Sequence, residues 1–267
     1  MNLEQYKVFL EKKGLADTTI KSYIYTIEVY TESNVITQKN LLEYKSYLIE
    51  HFKPQTVNLR INGLNRYLEY INRKDLCLKT IKIQQKSFLE DVISLADYLY
   101  LKNQLKNEGN KKWYFIVWYL GATGARVSEL VKLKVEHVKI GYFDVYSKGG
   151  KTRRLFIPKR LRDETLNWTD DQQKDSGYLF LNKEGKTISS RGIALHLKYC
   201  AKKYGVDPKV VYPHSFRHLF AKNFLLYHND IALLADLMGH DSIETTRIYL
   251  RKTSTEQQQI VDRIVTW

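Results

Sequence analysis

Apolar residues recur every three or four positions through most of this chain, the period of helices that bury one face. Tyr6, Phe9 and Leu10 mark a first helix that ends near Gly14. Ile20, Tyr23, Ile24 and Ile27 mark a second, which Asp17 or Thr18 can cap. Leu41, Tyr44, Tyr47 and Leu48 mark a third. Val57, Ile61, Leu64, Leu68 and Ile71 mark a fourth, with Thr56 as its cap. Four helices on short connections predict a compact bundle over residues 1–74. The period is then lost, and alternation of polar and apolar residues predicts an extended linker over 75–88.

A second domain is predicted over 89–267. A helix runs from Leu89 to about Lys106 and is closed by Glu108-Gly109-Asn110. The stretch Trp113 to Leu120 is apolar almost all round and should be buried; it stops at Gly121 to Arg126, and Val127 to Leu133 continue as helix. Two β-branched and aromatic runs, Tyr142–Tyr146 and Arg153–Ile157, flank a Gly-rich turn and predict a hairpin. Tyr178–Leu181 reads as a short strand. Helices follow over about 190–204, 213–227, 230–238 and 242–249, the second with Phe216, Phe220, Phe224 and Tyr227 on its core face. An amphipathic stretch from Glu256 to Val265 carries Ile260, Val261, Ile264 and Val265. The fold class is mainly α with a small antiparallel β-sheet, in two domains.

Charge changes the picture from fold to partner. The chain carries a net charge of +14. Between Lys132 and Arg162 there are ten Lys and Arg against two acids, whereas residues 1–80 hold twelve against nine. A charge kept only for solubility would not concentrate in this way, and a phosphate-contacting surface would. Lys151, Arg153 and Arg154 within that run are candidate DNA contacts, as are Lys53, Asn58, Arg60, Asn62 and Arg66 around the fourth helix. Cys77 and Cys200 are far apart and show neither metal nor redox spacing, which suits a reducing interior. No apolar run is long enough for a membrane span, and the N-terminus shows no apolar signal segment. The expectation is a soluble, cytoplasmic protein that faces double-stranded DNA.

Attack on a phosphodiester needs a nucleophile, positive charge on the non-bridging oxygens and an acid for the leaving oxygen. Arg126 follows a Gly-rich turn that would let a DNA backbone approach closely. Pro213 suits a first helical turn, so His214 and Arg217, three apart, project together from a helix N-terminus. Lys148 sits at the tip of the hairpin, where a mobile ammonium can protonate a leaving 5′ oxygen. His240 follows in Leu237-Met238-Gly239-His240, and Tyr249 nine residues later would be the nucleophile. Taken singly, Arg126 could simply pair with Glu129, Lys148 could be a turn lysine, and Tyr249 is one of twenty tyrosines. His214 and His218 have the spacing of a metal pair, but no HExxH glutamate lies between them and no cysteine cluster is near, so zinc is not expected. Gly150-Lys151-Thr152 mimics a P-loop tail, but the first glycine that loop requires falls on Val145.

The ordered set resembles the signature of the tyrosine recombinases, the phage integrase family. The motifs are Thr-Gly-Ala-Arg-Val-Ser-Glu-Leu around Arg126, Ser-Lys-Gly-Gly-Lys-Thr from Ser147, His214-Ser215-Phe216-Arg217-His218, Leu237-Met238-Gly239-His240 and Tyr249. The resemblance implies a clamp of a helical core-binding domain and a catalytic domain. It implies that Tyr249 forms a 3′-phosphotyrosyl bond, that Arg126 and Arg217 hold the non-bridging oxygens, and that Lys148 protonates the leaving oxygen. His214 would assist proton transfer, His240 would support the transition state, Glu129 would orient Arg126, and no metal or cofactor would be required. The implied partners are short repeat core sites in DNA, three further copies of the chain on paired sites, and accessory DNA-bending proteins. In such an assembly the C-terminal helix would dock on the neighbouring subunit. A type IB topoisomerase-like enzyme, or a DNA-binding protein without activity on the same scaffold, are the alternatives.

Overall fold

Residues 2–83, 91–146, 152–240, 242–250, 254–265 and 267 are described by a computed structural model, and Lys148 and Lys151 lie outside the described residues. The chain divides into two units, Met1–Gln85 and Lys86–Trp267.

The first unit holds α1 (Leu3–Lys12), α2 (Asp17–Thr31), α3 (Gln38–His51), α4 (Pro54–Tyr70) and a 3₁₀ turn at Lys74–Leu76. Asn2 and Thr37 cap α1 and α3 by accepting backbone N–H bonds from Gln5 and Asn40. Two expected caps differ. α2 begins at Asp17 with no side-chain cap, so Asp17 serves instead as an acid in the first turn. α4 begins at Pro54, two residues before Thr56, because proline fixes φ and needs no N–H partner there. Tyr6, Leu10, Ile27, Tyr30, Leu41, Leu48, Ile61 and Leu68 form a closed core. Each such burial contributes roughly 1.5–3 kcal/mol.

The segment after α4 is bound to this unit rather than free. Leu76 and Leu78 are buried in its core. The Asn65 amide donates to the Leu78 carbonyl and accepts from its N–H, both at 2.8 Å. Asn58 does the same for Ile81, at 2.9 and 2.8 Å. These asparagines, two helical turns apart on α4, bond an extended segment as a neighbouring strand would. The expected linker therefore opens later than residue 75, and the Asn58 side chain is committed within the protein instead of facing DNA. Arg60 packs its guanidinium over Tyr25 and Phe52, and Arg66 pairs with Glu69 at 2.7 Å, while Lys53 and Asn62 lie at the surface.

The second unit is built on α6 (Lys111–Thr123), in which every residue from Trp113 to Leu120 is buried. It packs against α5 (Leu95–Asn107) and α11 (Pro213–Tyr227). α5 starts later than Leu89: Ser94 accepts the Asp97 N–H, and the preceding Ile93 N–H is taken by Ser215 at 2.7 Å. α7 (Val127–Leu130) and α8 (Val135–Ile140) lead into the hairpin of β1 (Tyr142–Tyr146) and β2 (Thr152–Phe156), registered Tyr142 to Phe156. α9 (Lys159–Asp170) follows, then α10 (Ser190–Lys203), α11, α12 (Ile231–Met238), α13 (Ile243–Arg247) with a 3₁₀ turn over Ile248–Leu250, and α14 (Ser254–Ile264). Neither α8 nor α9 was expected. α9 buries only Leu161, Thr165, Trp168 and Thr169, too few apolar positions to announce a period. Tyr178 and Leu181 form isolated bridges to Lys134 and Thr187 rather than a strand. Tyr227 is 82% exposed, since the last turn of α11 projects into solvent. Among the described residues no helix is long and apolar enough to cross a membrane.

The glycines before Arg126 serve the protein itself. A Cβ on Gly121 would lie 2.5 Å from the Tyr98 ring. Gly124 ends α6 with φ 63°, and a Cβ there would lie 2.5 Å from the Phe220 ring. Gly121 lies inside α6 and Gly124 ends it, and at each an aromatic ring occupies the place a side chain would take.

Candidate active site

The site is organised by the carbonyl end of α12. That helix closes at Gly239 in the left-handed region (φ 59°), with the Gly239 and His240 N–H groups bonded to the Asp236 and Ala235 carbonyls, each at 3.0 Å. The carbonyls of Leu237, Met238 and Gly239 are left outside the helix ladder, at the negative end of its dipole. Each receives a different arginine. Arg153 Nη1 donates to Leu237, Arg217 Nη2 to Met238 at 2.6 Å, and Arg126 Nη2 to Gly239 at 3.3 Å. Guanidinium groups from β2, α11 and the start of α7 thus converge on three successive peptides.

Glu129 is the counter-charge among them. Its Oε1 accepts from Arg126 Nη1 at 2.9 Å, and its Oε2 accepts from the Arg126 N–H at 2.7 Å and from Arg153 Nη2 at 2.5 Å. Glu129 thus holds two of the three arginines, and three cations against one carboxylate leave a net positive pocket. Arg217 is 1% exposed and also donates to the Gly124 carbonyl at 2.5 Å. Burial, and then the nearby Arg126 charge, push its pKa down to about 10, so it remains charged at neutral pH. Its buried Nε has no hydrogen-bond partner among the described residues.

His240 lies between Arg217 and Thr246. Its Nε2 is 3.0 Å from Arg217 Nη2, and its Nδ1 is 2.7 Å from Thr246 Oγ1. A guanidinium can only donate, so Nε2 accepts, and the imidazole proton sits on Nδ1, which donates to Thr246. Tyr249 is 4% exposed and packs with Ala221, Leu225, Leu234 and Met238. Its ring stands 6.0 Å from that of His240, nearly parallel, and 5.2 Å from that of His218, which in turn lies 4.4 Å from His214. Burial raises the Tyr249 pKa against the opposing charge of Arg217 and Arg126, so the phenol is neutral at rest. His214 lies at the surface, and its pKa is lowered by partial desolvation and then by the Arg217 and Arg126 charges.

His218 and His240 are both pushed down to about 4, chiefly by burial, then by His214 for the first and Arg217 for the second. Below the ordinary value of 6.5 the unfolded chain therefore binds protons that the folded chain refuses. Stability from these two groups is fully present above 6.5 and is lost as pH falls toward 4. We expect the melting temperature to drop between neutral pH and pH of about 5, and the drop to shrink in His218→Gln. A pH-independent melt in the wild type would contradict the buried neutral imidazoles.

The structure thus brings Arg126, Glu129, His214, Arg217, His240 and Tyr249 into one cluster, while Lys148 lies outside the described residues. Arg153, expected to contact DNA, is instead turned inward: β2 alternates exposed and buried, and Arg153 falls on the buried side. Arg154, on the outer side, forms a two-bond pair with Asp144 across the hairpin at 2.8 and 3.0 Å and lies over Tyr142. A cleft of about 530 Å³ between hairpin and α12 is lined by Arg126, Arg154, Phe156, Asp236 and His240. Thr246, fully buried against His240, was not foreseen, because a lone threonine carries no signal. Among the described residues no group of His, Cys, Asp and Glu could hold a metal ion.

Residues 92–256 match the Phage integrase family. The chain is also 30% identical to the tyrosine recombinase XerA of Pyrococcus furiosus, over 98% of this chain and 93% of that protein. It belongs to the phage integrase family of tyrosine recombinases. The XerA of Pyrococcus horikoshii is 29% identical over 98% of this chain and 92% of its own length. Among solved structures, XerH bound to its difH substrate in a pre-cleavage complex has a TM-score of 0.72 at 16% identity, covering 98% of this chain and 84% of that one. A crystal structure of XerA recombinase has a TM-score of 0.57 at 21% identity, covering 99% and 98%. At these identities the structural likeness speaks for the fold, and family membership rests on the sequence matches.

Proposed function

We propose that this tyrosine recombinase cleaves and rejoins DNA at specific sites through a 3′-phosphotyrosyl intermediate. The Tyr249 oxygen attacks the scissile phosphorus, the bond to the 5′ oxygen breaks, and that oxygen leaves as a hydroxyl with a proton from Lys148. The phenolic proton passes to His214. Arg126 and Arg217 stabilise the charge that builds on the non-bridging oxygens. His240 acts by holding Arg217, because its Nε2 accepts from the guanidinium. The phosphotyrosyl bond conserves the energy of the broken linkage, so the reverse attack by a 5′ hydroxyl needs no ATP.

What supports this reading is the placing of the buried Arg217 guanidinium against the neutral Tyr249 phenol, with an Nε–H that has no partner among the described residues. Unsatisfied buried donors are uncommon in folded proteins, and a phosphate oxygen would satisfy this one. The test is a denaturing gel for protein joined covalently to a nicked duplex that carries candidate inverted repeats from beside the gene. A wild-type protein that binds the duplex without forming an adduct would overturn the reading.

The same reading extends to assembly: four copies on two DNA sites, exchanging strands in pairs through a four-way junction, with accessory DNA-bending proteins. Val261, Ile264 and Val265 along α14 are 51%, 56% and 44% exposed. An apolar stripe left open in this way suits docking on a neighbouring subunit, which favours recombination over relaxation by a monomer. A chain ending at Arg251 is expected to bind one site but to lose the complex that pairs two sites. Normal pairing by that truncated chain would rule out docking through α14.

A further inference from the structure

Arg153 has no role in the chemistry above, yet the protein is shaped around it. Its side chain is 7% exposed, and its two Nη groups are committed to Glu129 Oε2 and to the Leu237 carbonyl. The backbone opposite carries no side chain: a Cβ on Gly239 would lie 2.1 Å from Arg153 Cδ. Glu129 binds Arg126 twice, through its guanidinium and its N–H. His240 directly follows Gly239, whose carbonyl takes Arg126. Beside the longer direct bond from Arg126 to Gly239, Arg153 therefore supplies a second and buried connection between the start of α7 and the end of α12.

We propose that Arg153 is a positioning residue for DNA cleavage, clamping Glu129 to the carbonyl end of α12 so that Arg126 and His240 address the same phosphate. The proposal rests on the recombinase reading of this site. A planar fork suits the task, because it donates along two directions to acceptors on different elements, which a lysine ammonium on a flexible stem does not pre-organise. A buried arginine is also unfavourable unless paired, and here burial lowers its pKa while Glu129 opposes that shift. The pairing with Glu129 keeps the carboxylate from drawing Arg126 away from the cleft, since one oxygen is shared with a second cation.

A phosphate contact and a positioning residue predict different losses. A phosphate contact weakens DNA binding and lowers its salt slope by about one. A positioning residue leaves binding intact and slows the step after it, as a misplacement near 1 Å can do by on the order of 100-fold. The full chain is compared as wild type, Arg153→Gln and Arg153→Lys on the nicked duplex, with the dissociation constant and salt slope measured first and adduct formation then timed at saturating protein. We expect both variants to bind within about twofold of wild type, with adduct formation slowed on the order of 100-fold in Arg153→Gln and about tenfold in Arg153→Lys. Unchanged rates, or a loss confined to affinity with a reduced salt slope, would overturn the proposal. Should Arg153→Gln fail to fold, the pair Glu129→Gln with Arg153→Met removes both buried charges. That pair, folded by thermal melt, should bind DNA and still cleave slowly, and a wild-type rate from it would overturn the clamp. Wild-type protein without an adduct would instead sink the recombinase reading, and the proposal with it.

Discussion

Tyr249→Phe is expected to abolish covalent joining of the protein to DNA and to leave DNA binding within about twofold of wild type, an effect on the order of 10⁶-fold on cleavage, as for loss of other enzymatic nucleophiles. The change removes one oxygen and nothing else. The ring keeps its packing against Ala221, Leu225, Leu234 and Met238 and its contacts with the rings of His218 and His240. Because burial already disfavours the phenolate, no buried charge is unpaired by the substitution. Stability should change little, so a missing adduct reports chemistry rather than unfolding. The readout is a denaturing gel on the nicked duplex, with wild type and variant side by side. An adduct that survives in Tyr249→Phe would place the nucleophile on another of the twenty tyrosines.

Arg217→Lys is expected to slow adduct formation by about 10³-fold, the scale of losing a pre-organised donor to transition-state charge. The side chain is 1% exposed and reaches Gly124, Met238 and His240 from three directions. Lysine keeps the charge but supplies one ammonium where the fork reached three acceptors. A carbonyl left unsatisfied at Gly124 or Met238 costs about 1–3 kcal/mol, so the variant should also melt lower. His240 would lose the donor to Nε2, and the ring would be free to change tautomer. Binding should persist, because the substitution keeps the charge and leaves the surface lysines and arginines untouched. A rate within tenfold of wild type would mean that Arg217 is structural only and that the pocket's charge comes from Arg126.

The contrast between Arg153 and Arg154 shows what a sequence leaves open. The two are adjacent, equally basic and equally plausible as phosphate contacts when read along the chain. Strand alternation sends Arg153 inward to Glu129 and Arg154 outward to Asp144. The hairpin was legible, but which face met the protein was not, because both faces carry charge. Asn58 is a similar case: a polar residue on a helix reads as a surface contact until an extended segment is found bonded to it. A break was expected from Gly121 onward, but α6 runs through Gly121 and ends at Gly124, and the rings of Tyr98 and Phe220 that require the two glycines come from distant parts of the chain.

The sequence by itself determined the helices whose apolar residues recur at the helical period, because burying such a face is the main force that forms them. It also made the ordered set Arg126, Lys148, His214, Arg217, His240 and Tyr249 legible, since each role proposed for them demands a particular side chain. The tertiary structure alone decided that the α12 carbonyls gather three arginines, that Arg217 fixes the His240 tautomer, and that Arg153 faces inward. Those outcomes depend on hydrogen bonds between residues far apart in sequence. A local pattern of hydrophobicity or charge carries no information about which distant partner will satisfy a buried donor.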